Sequence, residues 1–284
     1  MANGVSRRVA IVCASNNESI LRENLMRSPL IAETGIPLHV EWNAPSAATA
    51  YNRGLEATDA DIVIFAHHDV FLPRGWETVL FARIAELEKK DATWALLGSY
   101  GINHSGAHFG PVWSSSIGHI IGRVATEPIS VQSFDEHMIV MRRSAGLKFD
   151  EKLPGFHLYG TDIVQIARRA ERGAYAMALP LIHNDGFKEQ LGDDYLQAYR
   201  YMKRKWRAEL PLVTPVAVIS WHGLHLARSR RRNVTSLVAR RDMAAPSSAD
   251  PSVYASLCGW SDLAHESISN GPGDVRAASH KDAR

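Results

Sequence analysis

A short apolar run at residues 62–65 is the feature that most constrains the fold of this chain. Four consecutive apolar residues, followed by a turn at Pro73, are typical of a strand buried on both faces of a sheet. Two histidines and an aspartate, His67, His68 and Asp69, come almost directly after the run. Side chains at the carboxyl end of such a strand face the crevice where α/β proteins bind ligands. These residues are therefore the first candidate site.

Strand-like and helix-like segments alternate through the first half of the chain. The apolar periodicity predicts strands at 9–13, 38–42, 62–65 and 93–97 and helices at 18–26, 46–57 and 75–90. Such repeats favour an α/β fold with a mainly parallel sheet flanked by helices. Residues 98–122 are rich in Gly, Ser and His and predict a loop-rich insertion. Later segments predict strands at 134–142 and 175–182, helices at 160–172 and 193–210, and a short apolar element at 213–219.

Composition narrows the class of protein. The net charge of +2 in 284 residues is too small to indicate a nucleic-acid partner. Two cysteines make no disulfide framework and predict reduced thiols in a cytoplasmic protein. No run of about 18 apolar residues predicts a membrane span, and residues 1–8 lack the apolar part of a signal peptide. One domain is predicted over residues 1–226, with a mobile basic and polar tail over 227–284.

Two further segments place ionisable residues near the same predicted edge. Asp162 falls in the first turn of the helix predicted at 160–172, where the helix dipole keeps a carboxylate ionised. Facing the crevice, it could take a proton from an acceptor hydroxyl. His183 follows Asp162 by 21 residues, one helix plus one strand, which predicts that it reaches the edge of the sheet that carries Asp69.

Each of these residues also has a purely structural explanation. Asp69 could cap the turn after its strand, and Thr161 or Asp162 could cap the helix. A histidine at a strand end is more often structural than a ligand. For Asp69 alone the two explanations are even, whereas the predicted common edge favours a site for His183.

The order of these motifs resembles that of family 2 glycosyltransferases of the GT-A fold. His67-x-Asp69 is similar to the streptomycin-biosynthesis-type branch, which has His-x-Asp where most relatives have Asp-x-Asp. Each motif is short, so the resemblance depends on order and spacing over residues 9–206. The matching segments are 9–13, Asn16-Asn17, Tyr51-Asn52-Arg53-Gly54-Leu55, 67–69, 149–151, 155–162 and His183.

The resemblance implies a GT-A, Rossmann-like fold and a role for each matching residue. Asp69, with His67 and His183, would bind a divalent metal, Mn or Mg, that bridges a nucleotide diphosphate, although imidazole favours softer ions than magnesium. Asp162 would be the general base of an inverting displacement. The residues implied at the donor are Ser15, Asn16, Asn17, Asn52, His68 and Asp135.

The implied reaction is a single in-line attack on a UDP-sugar or another nucleotide-diphosphate sugar. The acceptor would be a hydroxyl of a glycan, a lipid-linked sugar or a small molecule, and no nucleic acid is expected. The basic segments 203–207 and 228–232 could rest on anionic lipid, which would give peripheral contact with the inner face of a membrane.

Three other functions stay open at this point. A nucleotidyltransferase uses a related sheet and a metal, but normally has a Gly-rich, basic loop after the first strand, which residues 13–17 lack. A non-catalytic nucleotide- or sugar-binding module could have kept the fold. Nucleic-acid binding through the Arg-rich segment 228–232 would show a steep salt dependence.

Overall fold

The computed structural model describes residues 7–189 and 191–265. Its helices are α1 (Glu18–Glu23), α2 (Pro29–Ala32), α3 (Ala47–Ala57), α4 (Trp76–Lys90), α5 (Tyr159–Arg169), α6 (Asp193–Lys205), α7 (Leu224–Thr235), α8 (Leu237–Met243) and α9 (Pro251–Leu257). Its strands are β1 (Val9–Ser15), β2 (Leu38–Trp42), β3 (Ile62–His67), β4 (Val70–Phe71), β5 (Trp94–Gly98), β6 (Gly101–Asn103), β7 (His108–Gly110), β8 (Val112–Ser114), β9 (His119–Ile121), β10 (Arg123–Val124), β11 (Ile129–Phe134), β12 (Met138–Arg142), β13 (Gly173–Ala176), β14 (Leu181–His183), β15 (Leu212–Val213) and β16 (Val218–Ile219).

Ten strands form one mixed sheet in the order β10-β7-β6-β11-β13-β5-β12-β3-β1-β2. β2, β1 and β3 are parallel to one another, and β12 lies antiparallel between β3 and β5. One hydrophobic core includes α3, α5 and α6, and a second includes α4 and α9. The predicted α/β fold, a large sheet flanked by helices, is confirmed.

Close packing explains why the first helical units form as the sequence predicts. Trp76, Leu80, Ile84 and Leu87 recur at helical spacing on α4, and all four are buried. On α3, Gly54 lies against β1, because a Cβ atom there would stand 2.2 Å from a methyl group of Val12. A larger residue at that position would push α3 away from the sheet.

The second half of the chain has more strands than the periodicity predicts. Residues 98–122, expected as a loop-rich insertion, contain the short strands β6 to β9. The single strands expected at 134–142 and 175–182 are each replaced by two strands separated by a turn or loop. Runs of two or three residues between glycines and serines are too short for a periodic signal. The pairs β6–β7 and β8–β9 are local hairpins, whereas β6 and β8 also pair with the distant strands β11 and β14.

A smaller sheet carries His183 to the edge where β1, β2 and β3 end. Its strand order is β4-β14-β8-β9, and β14 pairs antiparallel with β4, with His183 opposite Val70. The backbone of β12 reaches the same edge, since His67 N–H donates to the His137 carbonyl at 3.0 Å. Three segments that are distant in sequence therefore meet at the end of β3.

The segment 227–265 differs from the mobile tail that the sequence predicts. It contains most of α7 together with α8 and α9, and Tyr254, Cys258, Trp260 and Leu263 are buried in the second core. Tyr254 stacks on Trp113 with a ring separation of 3.8 Å. The sequence of this segment does not predict its packing, because only a few apolar side chains, widely spaced, anchor it to the core. The rest of the predicted tail, 266–284, lies outside the described residues.

We expect Trp260→Ala to lower the free energy of unfolding by about 3–5 kcal/mol, because it removes a fully packed aromatic side chain. Leu257→Ala, at an exposed position on α9, is the matched control and should change it by about 0.5 kcal/mol or less. Urea unfolding followed by circular dichroism measures both. Equal, small effects would contradict the docking of this segment.

Candidate functional site

Three metal-competent side chains meet at the carboxyl end of β3. One ligand atom from each of His67, Asp69 and His183 lies within 4.8 Å of the other two. Asp69 Oδ1 is 3.4 Å from His183 Nε2 and 3.8 Å from His67 Nδ1. The structure thus brings together the three residues that the sequence predicts as a metal set.

Burial and charge determine the protonation of this cluster. Burial alone raises the pKa of Asp69, but His183 and then His67 outweigh it, so that pKa lies well below its usual range. Burial lowers the pKa of His67 to about 4. Burial also acts to lower the pKa of His183, but Asp185 and Asp69 outweigh it and raise that pKa to about 10. At neutral pH, His67 is neutral and Asp69 is ionised, whereas His183 carries a proton that a bound cation would displace.

The donor set fits a divalent cation. Asp69 Oδ1 and His183 Nε2 are buried and form no hydrogen bond among the described residues, and their ion pair at 3.4 Å is the contact that a bound cation would replace. Ligand atoms at about 2.0–2.2 Å from a metal stand about 3.0–3.6 Å apart, close to the separations above. Two imidazoles and one carboxylate suit Mn²⁺, Fe²⁺ or Zn²⁺ better than Mg²⁺, which prefers oxygen ligands.

Tyr159 determines which nitrogen of His67 carries the proton. The Tyr159 hydroxyl donates to the Glu136 carbonyl at 2.7 Å and lies 2.8 Å from His67 Nε2. Because its single proton goes to Glu136, His67 Nε2–H must be the donor in the second contact. The lone pair of His67 is then on Nδ1, the atom nearer Asp69. Tyr159 therefore holds His67 in the tautomer that a metal ligand requires.

Asp135 is an oriented carboxylate near the cluster. Its Oδ1 lies 3.0 Å from His137 Nδ1, and His137 Nε2 lies 2.8 Å from Ser99 Oγ. Burial acts to raise the pKa of Asp135, but His137 outweighs it and holds that pKa well below its usual range. Ser99 is fully buried, so this Ser–His–Asp chain orients Asp135 and presents no nucleophile. The Asp135 side chain itself is 28% exposed.

A hydrogen bond links the end of β1 to the end of β3. Ser15 Oγ lies 2.9 Å from His68 Nδ1, so these two predicted donor residues are neighbours beside the cluster. Burial lowers the pKa of His68, which favours the neutral ring. This pair is the part of the predicted donor set that the structure joins directly to residues 67–69.

Two of the three predicted asparagines form hydrogen bonds that stabilise the backbone. Asn17 Oδ1 accepts from the Ile20 N–H and caps α1. Asn52 is buried, and its amide bonds to both backbone groups of Phe149. Asn16 is exposed at the end of β1. Only Asn16 among these side chains forms no described hydrogen bond that commits it to the scaffold.

The carboxylate of Asp162 has different surroundings from those expected for its predicted role as a general base. Its two oxygens accept from Lys205 Nζ at 2.7 and 2.8 Å, and Trp206 Nε1 donates to one of them at 2.6 Å. The residue is 2% exposed, and burial raises its pKa although Lys205 opposes the shift. A carboxylate enclosed in this way joins α5 to α6 and is not presented to an acceptor hydroxyl.

The sequence did not predict the residues that orient His67 and Asp135. Tyr159 lies inside a motif that the sequence singles out, but no spacing rule shows that its hydroxyl meets His67. His137 and Ser99 come from adjacent antiparallel strands or their ends, and their contact depends on the β12–β5 pairing. The alternation of Asp135 and His137 was the one signal available.

No protein-family model matches this chain. A curated protein from Fuscovulum blasticum, "ATP synthase subunits region ORF 6", is 31% identical over 160 residues. The alignment covers 52% of this chain and 61% of that protein, so the chain matches less than two thirds of its relative.

Several solved structures are distantly similar to this chain. GalNAc-T7 with UDP, GalNAc and Mn²⁺ has a TM-score of 0.49 and 12% identity, over 72% of this chain and 49% of that one. The mannosyltransferase PcManGT from Pyrobaculum calidifontis with GDP-Man and Mn²⁺ has a TM-score of 0.41 and 12% identity, over 88% of this chain and 80% of that one. The inositol-1-phosphate CTP transferase from T. maritima has a TM-score of 0.40 and 10% identity, over 69% of this chain and 97% of that one. All three scores are below 0.5, so function must be argued from the site.

We expect Tyr159→Phe to weaken Mn²⁺ binding by about 10- to 100-fold, because His67 loses the acceptor that fixes its tautomer. Tyr51→Phe is the matched control, since its hydroxyl lies 3.2 Å from that of Tyr159 and does not contact His67. Titration calorimetry measures both affinities. An unchanged affinity in Tyr159→Phe would show that the tautomer is set in another way.

We expect Asp162→Asn to destabilise the fold by about 2–4 kcal/mol, because it removes the charge that pairs with Lys205 in the interior. A double-mutant cycle with Lys205→Met should give a coupling of about 0.5–3 kcal/mol. Additive effects in urea unfolding would contradict the structural role of this pair.

Proposed function

We propose that this chain is a glycosyltransferase that moves a sugar from a nucleotide-diphosphate donor to an acceptor hydroxyl. The observation that carries the proposal is the His67–Asp69–His183 cluster at the carboxyl edge of the sheet, in which buried atoms of Asp69 and His183 form no hydrogen bond. In α/β sheets this edge is where nucleotides bind. The resemblance of the motifs to family 2 glycosyltransferases supports the same substrate class.

His67, Asp69 and His183 would hold the divalent metal. When bound, the metal would neutralise negative charge on a diphosphate leaving group. Because two of the three ligands are imidazoles, we propose Mn²⁺ or a similar transition metal rather than Mg²⁺. The neutral state of His67 suits this role, since the lone pair of Nδ1 is available at neutral pH.

The residues at the ends of β1 and β3 would contact the donor. Ser15 and His68 already form a hydrogen-bonded pair beside the cluster, and Asn16 is exposed next to them. We propose that Asn16 binds the nucleoside. Asn17 and Asn52 would act by shaping the backbone, because their amides are used in the scaffold.

We propose Asp135, in place of Asp162, as the group that accepts the proton. It is partly exposed and held in one orientation by His137. As the acceptor oxygen bonds to the anomeric carbon, its proton passes to Asp135, and the bond to the diphosphate breaks with both electrons leaving on the diphosphate. One such displacement inverts the anomeric centre and needs no covalent intermediate.

We expect the wild-type chain to bind UDP or another nucleoside diphosphate in the presence of Mn²⁺ and much more weakly with Mg²⁺. Asp69→Asn should lose this metal-dependent binding, because it removes the ligand charge while keeping the side-chain shape. Asp59→Asn, at an exposed position, is the matched control. Titration calorimetry gives the affinities, and metal-independent binding in all three proteins would contradict the proposed site.

Activity assays on the wild-type protein distinguish the alternative functions. Release of pyrophosphate from a nucleoside triphosphate and a sugar phosphate would identify a nucleotidyltransferase. Metal-dependent nucleotide binding, with no hydrolysis or transfer of any nucleotide sugar by wild type, would identify a binding module. Loss of turnover with retained nucleotide binding in Asp135→Asn would support Asp135 as the proton acceptor.

A further inference from the structure

Charge is distributed unevenly along this chain. The full sequence has 32 Lys and Arg against 30 Asp and Glu. Residues 195–241 contain eleven of the basic residues and one acid, Glu209, so the remainder has 21 basic and 29 acidic residues. Glu209 is itself paired with Arg169 on α5. A strongly basic segment in an otherwise acidic protein indicates a surface for a negatively charged partner.

The basic residues of α6 line an open groove, which we call the α6 groove. It has a volume of about 420 Å³ and is lined by Arg200, Lys203, Arg204, Arg207, Leu210 and Trp221. Over residues 7–189 and 191–265, none of its four cations lies within ion-pair distance of a carboxylate, whereas Lys205, on the inner side of α6, is paired with Asp150 and Asp162. The groove therefore presents charge that the described part of the protein does not neutralise.

Exposed apolar side chains occur in the groove itself and three residues further along the chain. Trp221 is 74% exposed at the groove, and Leu224, the first residue of α7, is 58% exposed. Large apolar side chains exposed next to basic ones are typical of surfaces that enter the headgroup region of a bilayer. A nucleic acid would use the tryptophan for stacking but gains little from an exposed leucine. The aliphatic residue favours lipid.

Helix α7 extends the basic surface beyond the groove. Arg228, Arg230, Arg231 and Arg232 are all exposed on this helix. Both α6 and α7 contact β16, so the groove and the helix are carried by the same small β15–β16 hairpin. No helix among the described residues is long and apolar enough to cross a membrane.

We propose that the α6 groove, Trp221 and α7 form a docking surface for an anionic lipid bilayer. The groove cations contact headgroup phosphates, while Trp221 and Leu224 enter the boundary between headgroups and acyl chains. The surface is separate from the metal cluster, so it stands or falls independently of the proposed reaction.

Co-sedimentation with vesicles tests the proposal on the full chain. We expect binding to vesicles of phosphatidylcholine mixed with phosphatidylglycerol and none to phosphatidylcholine alone. Raising the salt should weaken binding, because the screening length falls from about 10 Å at 0.1 M to about 3 Å at 1 M. Arg204→Glu/Arg207→Glu should reduce the partition coefficient at least tenfold. Lys89→Glu/Arg123→Glu, the same charge change at exposed positions elsewhere, should leave it nearly unchanged.

A second variant tests the apolar part of the surface. Trp221→Ala should weaken binding severalfold and abolish a blue shift of tryptophan emission on adding the mixed vesicles. Three results would overturn the proposal: no binding to mixed vesicles at low salt, equal losses in the two double variants, or displacement of the protein from vesicles by free inorganic phosphate, which would indicate a small-anion site. Tighter binding to a single-stranded polynucleotide than to vesicles would assign the surface to nucleic acid instead.

Discussion

The buried carboxylate of Asp69 is the constraint on which the candidate site depends. An ionised carboxylate is costly to remove from water unless opposite charge or hydrogen-bond donors replace the lost solvation. The protonated His183 compensates Asp69 at neutral pH, and it comes from a different sheet: Asp69 follows β3, whereas His183 ends β14. The small sheet must therefore dock at this edge for the carboxylate to be tolerated. The same convergence leaves buried ligand atoms facing one another, which is the requirement for holding a cation.

The residues next to His183 fix that docking. Asp185 accepts hydrogen bonds from the Ser114 hydroxyl and the Ser116 N–H, and so ties β14 to the turn after β8. Asn184 donates to the Ser247 carbonyl and thereby contacts the C-terminal segment. That segment, with its helix α9, packs against the same core as the small sheet. The C-terminal residues therefore belong to the scaffold that positions His183, although they contain no candidate ligand.

The cations on the two sides of helix α6 have different surroundings. Lys205 points inward and neutralises Asp162 in a nearly dry environment, where one unpaired charge would be strongly destabilising. Arg204, one position earlier, is exposed and lines the groove with Arg207. Neighbouring residues on one helix thus serve stability and surface recognition. The same contacts enclose Asp162, which the sequence predicts to face the crevice.

The sequence by itself predicted many local elements of the first half of the chain and the convergence of His67, Asp69 and His183. Apolar periodicity predicted β2 and α4 to within a residue, because burial of one face is a local property of the pattern. The strand-end position of His67 and Asp69, together with the spacing of His183, predicted that they meet. Only the tertiary structure decided which carboxylate is free: Asp162 is enclosed by Lys205, 43 residues away, while Asp135 is oriented by a histidine buried through strand pairing. It also decided that Tyr159 sets the His67 tautomer, since such contacts depend on long-range register, which no local pattern encodes.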